Sequence, residues 1–235
     1  MKEKILGIIG GMGPEASAQL YMKIIKETKV KKDQEHFRII IDSNPKIPDR
    51  TKAILGLGES PVPYIIETAN NIKKMGADIG CIPCITSHYF YDEIVQGTDL
   101  KIINALEELN LYIHKKYPGT RRIGVLATTG TMNTRIFDKY LKDVIIIYPD
   151  QKVQEEYVME AIYGEGTGIK SGVTTGKPVD LLKQAGEHVI EKGAEVVILG
   201  CTEIGLVLTK DSLTKPGIDP VDVMAEVMIA KGREE

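Results

Sequence analysis

Three cysteines carry the strongest chemical signal in this chain: Cys81 and Cys84, two residues apart in GADIGCIPCITSHYF, and Cys201 in GCTEIG. A Cys-x-x-Cys pair can be a redox couple, half of a zinc site, or a pair in which one sulfur does chemistry and the other only fills space. A redox couple sits at the start of a helix, with both sulfurs in its first turn, whereas residues 77–84 read as strand. A zinc site needs a second ligand pair, and the four histidines are scattered without ligand spacing.

An internal repeat separates the two sulfurs. RRIGVLATTGT is similar to EKILGIIGGMG, and EKGAEVVILGCTEIG to KMGADIGCIPCITSH. Gly7 thereby pairs with Gly124, Gly76 with Gly193 and Cys84 with Cys201, and 124 less 7, 193 less 76 and 201 less 84 all give 117. The register then slips by two residues, with Asn104 answering Asp219. Cys81 falls on Ile198, so it reads as a small buried hydrophobe. Cys84 and Cys201 form the matched pair. Each stands at the carboxyl end of an expected strand, just before a helix, where open α/β sheets bind ligands. A helix N-terminus there lowers a thiol pKa toward neutrality, and the hydroxyls of Thr86, Ser87 and Thr202 are suited to cap the helix or bond a ligand. If the two copies face one another, one thiolate takes a proton from a carbon and the other thiol returns one on the far face, which inverts a stereocentre. A lone cysteine is more often a core residue, and repeat symmetry with the strand-end position is what favours chemistry here.

The elements that must place these sulfurs follow an α/β pattern. Short β-branched runs alternate with longer amphipathic segments, as in parallel strands joined by helical crossovers. KILGIIGG, FRIIIDS, ADIGCIPC and LKIIN read as strands; EASAQLYMKIIKET, PVPYIIETANNIKKMG and the segment opening at SHYFYDEI read as helices. NPKIPDRT, with two prolines, reads as a loop. The expected architecture is two similar three-layer α/β lobes with mostly parallel sheets, related by a pseudo-twofold axis, with the active-site cleft between them.

Composition sets the remaining bounds. At 235 residues and 43% apolar content the chain can bury a sizeable core. A net charge of −3, from acids and bases spread along the chain, reserves no basic face for nucleic acid or anionic lipid, so the expected partners are small molecules. No apolar run is long enough for a bilayer, and the first residues are too quickly broken by glycine for a signal peptide. Together with an odd number of cysteines, this leads to the expectation of a cytoplasmic protein.

GIIGGMGPEAS, NPKIPDRT, IPCITSHYFYDEI, LATTGT and GCTEIGLVL resemble the aspartate/glutamate racemase superfamily, most closely its aspartate racemase branch, over residues 5–220. The resemblance implies a cofactor-independent amino-acid racemase, with Cys84 and Cys201 as the acid/base pair, an acidic amino-acid substrate and a homodimer. It also implies that the final strand and helix return to the first lobe, giving a first lobe of residues 1–102 completed by 213–235 and a second of 103–212. Substrate contacts are expected from the backbone near Met12 and Gly13, from Asn44, Thr129 and Glu203 within the matching motifs, and from the hydroxyls named above. A dicarboxylate needs fixed cations. Arg50 in the IPDRT motif is the candidate for the distal carboxylate, and Lys170 in YGEGTGIKSG resembles a second cationic position. One departure is Ile85, where the family reads Asn; it removes a polar contact and leaves open which acid is preferred. His88 reads either as a helix-facing polar residue or as a group that keeps Cys84 ionised.

Three rivals compete with this reading. GMGPEA fits a Gly-x-Gly-x-x-Ala nucleotide fingerprint, but Pro14 removes an N–H that a phosphate cradle would use. Hydantoin racemisation, malonate decarboxylation or maleate isomerisation could run on the same scaffold. A non-catalytic protein could use the cleft only to hold a ligand.

Overall fold

The fold is described from a computed structural model, over residues 3–233. The chain divides into two units: one runs to Glu108 and resumes at Val221, the other is Leu109–Pro220. In the first, β1 (Leu6–Gly10) is flanked by β2 (Ile39–Ser43) and β3 (Ile79–Cys81), and β4 (Lys101–Ile103) extends the parallel sheet beyond β3. Register places Leu6 opposite Ile39 on one side and Ile79 on the other. β1 and β3 are wholly buried, as central strands covered on both faces must be. Helices α1 (Pro14–Glu27), α2 (Arg50–Ile54), α3 (Val62–Lys74) and α4 (Tyr91–Gln96) connect the strands, and α5 (Ala105–Lys116) leads out of the sheet. Ile9, Ile65, Ile72, Ile82 and Ile94 form the core between sheet and helices.

The second unit repeats the plan. β5 (Arg122–Leu126) lies between β6 (Ile145–Ile147) and β7 (Val196–Leu199), and β8 (Gly217–Ile218) pairs parallel with β7. Its helices are α6 (Thr129–Asn133), α7 (Ile136–Tyr140), α8 (Gln151–Val153), α9 (Glu160–Tyr163), α10 (Lys177–Glu191) and α11 (Ile204–Val207), with a π-helical segment, Gln154–Met159, between α8 and α9. Leu126, Ile162, Leu182, Val189 and Leu199 fill its core. The last helix is α12 (Pro220–Arg233).

The 117-residue repeat is realised in detail. A Cβ on Gly7 would stand 2.7 Å from Ile72 and 3.2 Å from Ala77; on Gly124 it would stand 2.7 Å from Val189 and 3.1 Å from Ala194. Both glycines therefore let a helix lie close on a central strand. Gly76 and Gly193 end equivalent helices with the same φ of 101°, the left-handed region where glycine carries no penalty. Asp78 accepts the N–H of Ile5, and Glu195 that of the equivalent Arg122.

Two expectations need correction. β8 does not return to the first sheet: Val197 lies opposite Gly217 and Ile198 opposite Ile218, so residues 213–220 stay with the second unit. Only α12 returns, held by Lys4 N–H to the Gly232 carbonyl, by a Lys23–Asp222 pair and by Lys231–Glu108 at 3.2 Å. The first boundary likewise falls after Glu108 rather than 102. Among the described residues no helix is long and apolar enough to cross a membrane.

Candidate active-site residues

Cys84 lies three residues beyond the end of β3 and is 7% exposed. Its carbonyl accepts two bonds, from Ser87 Oγ at 2.6 Å and from His88 Nδ1 at 3.0 Å, and this folds residues 86–90 into a 3₁₀ turn instead of the expected α-helix start. Ser87 is fully buried with its hydroxyl engaged by that carbonyl, so it tightens the turn rather than capping a helix. His88 Nε2 accepts the Ala105 N–H at 3.1 Å, which places the ring proton on Nδ1. Burial lowers the His88 pKa to about 4, outweighing the two backbone bonds that favour its cation. The ring is therefore neutral and ties the Cys84 turn to the start of α5; the helix-facing reading holds. Thr86 is buried at the head of the turn, and α2 packs against the turn.

Arg50 opens α2 rather than lying in a loop, because Asp49 caps that helix by accepting the Lys52 N–H at 2.8 Å. Its guanidinium donates to the carbonyls of Pro48 at 3.1 Å and Ile47 at 3.4 Å. Asn44 begins the same connection: its Oδ1 accepts the Lys46 N–H, and its backbone N–H donates to Gly10. The glycine loop after β1 is anchored by Ser17, which accepts the Gly11 N–H at 3.0 Å and donates to the Gly13 carbonyl at 3.1 Å. The Met12 side chain is in the core, so only its backbone can meet a ligand. Gly13 sits at the N-terminus of the 14-residue α1.

In the second unit Cys201 lies two residues beyond β7 and is 6% exposed. Its thiol donates to Glu203 Oε2 at 2.9 Å, and the Thr202 hydroxyl donates to the same oxygen at 3.2 Å. Lys170, on the 3₁₀ turn Ile169–Ser171, donates to Glu203 Oε1 at 2.6 Å. The expected lowering of the thiol pKa is reversed at Cys201. Burial pushes it well above the ordinary thiol value, the charge of Glu203 and the bond to it push further, and Lys170 offsets only part. Burial works against the ionised form of Glu203, but Lys170 and the Cys201 bond outweigh it and lower its pKa. Cys81 is fully buried in β3 opposite Ile8 and Ile103, and burial alone raises its thiol pKa.

The structure thus brings Cys201, Thr202, Glu203 and Lys170 into one bonded cluster. It gathers Cys84, Thr86, Ser87 and α2 with Arg50 in the other unit. Thr129 opens α6 and accepts a bond from Gln154 Nε2 at 3.3 Å. Gln154, 1% exposed, also donates to the Ala127 carbonyl at 2.9 Å, so it shapes the loop after β5 as Ser17 shapes the loop after β1. Neither Ser17 nor Gln154 carries a motif by which sequence could mark it. Among the described residues no group of three or more His, Cys, Asp and Glu side chains is placed to hold a metal ion.

A family model described as Asp/Glu/hydantoin racemase matches residues 9–228. The broad specificity amino-acid racemase RacX of Bacillus subtilis (strain 168) is 24% identical over 96% of this chain and 97% of its own length. An uncharacterized protein in the pnlA 3' region of Pectobacterium carotovorum subsp. carotovorum is 35% identical over 43% of this chain, a match that spans 65% of that protein, just under two thirds of its length. Among solved structures, Picrophilus torridus aspartate racemase superposes with a TM-score of 0.80 at 24% identity, covering 99% of this chain and 95% of that one.

Proposed function

The chain belongs to the Asp/Glu/hydantoin racemase family, and on that premise we propose that it is a cofactor-independent amino-acid racemase in which Cys84 and Cys201 serve opposite faces of one Cα. The observation that carries this reading is the equivalence of the two thiols: each lies just past the carboxyl end of the strand next to the central one, one repeat apart, and each is nearly buried. The reading requires both strand edges to meet one substrate. The Cα–H bond breaks toward one sulfur as a thiolate, the electron pair is taken up by the substrate carboxylate, and the other thiol delivers its proton to the opposite face. The sulfurs end with their proton exchanged, and the reverse turnover resets them. Aspartate or glutamate is the first substrate class to test, with Arg50 the candidate receptor for the distal carboxylate. The buried Ile85 and the engagement of Lys170 by Glu203 favour a wider side-chain range as the second. We further propose a homodimeric, cytoplasmic protein.

Incubating the protein with each L- and D-amino acid in deuterated water, without added cofactor, should wash out the α-proton signal and yield both enantiomers. Cys84→Ala and Cys201→Ala should each abolish racemisation while leaving one enantiomer able to exchange its α-proton. Full racemase activity in either variant would overturn the two-thiol mechanism.

A further inference from the structure

The two matched thiols differ in one chemical respect. Shifting by one repeat places Thr86 where Glu203 stands, so Cys201 has a carboxylate two residues on and Cys84 has a hydroxyl. Both Glu203 oxygens are engaged, Oε1 by Lys170 at 2.6 Å and Oε2 by Cys201 at 2.9 Å and Thr202 at 3.2 Å, and the residue is 7% exposed. An ionised carboxylate only accepts, so the proton between Glu203 and Cys201 belongs to sulfur. Among the described residues no carboxylate bonds the Cys84 sulfur.

We infer that Glu203, clamped by Lys170, is a positioning residue that keeps Cys201 protonated in the resting protein, making Cys201 the stored acid and Cys84 the first base. The inference rests on the racemase reading and reassigns two residues that the sequence suggested as substrate contacts. Lys170 holds the carboxylate in place and keeps it ionised, while its own charge offsets part of the carboxylate's effect on the thiol. Among the described residues, the charged and polar groups facing the Cys201 thiol include Glu203 and Thr202 beside it in the chain and Lys170 from the 3₁₀ turn, whose Nζ lies 5.3 Å from the Tyr163 ring; Asp219 lies against Gly205 of α11. From this state, the enantiomer whose α-hydrogen faces Cys84 reacts first. Its proton passes to the Cys84 sulfur and the Cys201 proton passes to Cα.

The test is alkylation of the intact protein by iodoacetamide between pH 6 and 10, with each cysteine followed as its own peptide by mass spectrometry. The two residues have similar exposure, 7% for Cys84 and 6% for Cys201, and the shape of each peptide's pH profile separates charge from access. At pH 7.5 Cys84 should react faster than Cys201. Glu203→Gln should raise Cys201 alkylation about tenfold at pH 8, a shift of about one pH unit, with Cys84 unchanged. Lys170→Met should move the Cys201 profile the opposite way, and it stands as an independent reading if Glu203→Gln fails to fold. In kinetics, Lys170→Met should change the pH profile of kcat more than KM for an acidic substrate. Unchanged Cys201 profiles in the variants, or a wild-type Cys201 that alkylates as fast as Cys84, would overturn the inference. Shifted profiles in a protein that racemises no amino acid would uphold the Cys201–Glu203–Lys170 arrangement and overturn the racemase reading instead.

Discussion

Cys81 and His88 are buried neighbours of the Cys84 turn, and each has a measurable consequence apart from catalysis. Cys81 is fully enclosed in β3, and its repeat partner Ile198 is an equally buried residue of β7. Cys81→Val should therefore cost about 1 kcal/mol, typical of a near-isosteric core swap, and leave turnover intact; loss of activity in a folded variant would revive a role for the Cys-x-x-Cys pair. His88 should make the protein acid-sensitive. Its folded pKa, about 4, lies below the unfolded value of 6.5, so between those pH values the unfolded chain binds a proton that the native state refuses. Stability is full above about pH 6.5 and falls toward pH 4, by up to about 3 kcal/mol. Urea midpoints measured from pH 7 to 4 should drop, and His88→Gln should flatten that drop. An unchanged slope would show that other groups govern it.

Elements are held together by close approaches that the repeat duplicates, but not with equal tolerance. At Gly7 an added methyl meets the flexible end of Ile72, whereas at Gly124 it meets a methyl of Val189, a β-branched residue with one favoured rotamer in a helix. Both substitutions to Ala overpack the strand–helix contact, at about 1–3 kcal/mol. Gly124→Ala should be the costlier, with its Tm lower by several degrees, at about 2–4 °C per kcal/mol for a chain of this size. Equal losses would mean that the backbone, not the side chain, absorbs the strain. At this scale the sequence was legible where periodicity was strong: α1 lies where its apolar spacing puts it, and α3 lies between an opening proline and Gly76. It was less legible after Cys84, where two bonds to one carbonyl convert an expected helix start into a 3₁₀ turn, and in α2, which a loop rich in proline conceals.

For the whole molecule, α12 decides where the chain's halves end. Gly232 packs against Phe37 and Leu6, where an added Cβ would stand 2.6 Å and 3.1 Å away. Gly232→Val should therefore loosen α12 from the first unit. Hydrogen exchange should quicken in β1 and β2 while β5 and β7 keep their protection, and uniform loss in both units would contradict the division described above. The sequence by itself determined the fold class, the 117-residue repeat and the pairing of Cys84, not Cys81, with Cys201 in that repeat, because hydrophobic period and residue spacing are local properties repeated along the chain. The repeat also paired Asn104 with Asp219, each ahead of a helix, and so held the correct place of β8. The resemblance pointed elsewhere, and strand pairing settled it. Only the tertiary structure decided that α12 returns to the first unit without β8, that His88 is neutral, and that Glu203 bonds Cys201 while Lys170 bonds Glu203. Those depend on distances between residues far apart in the chain, on which element covers which, and on burial that can raise a thiol pKa where helix position alone would lower it.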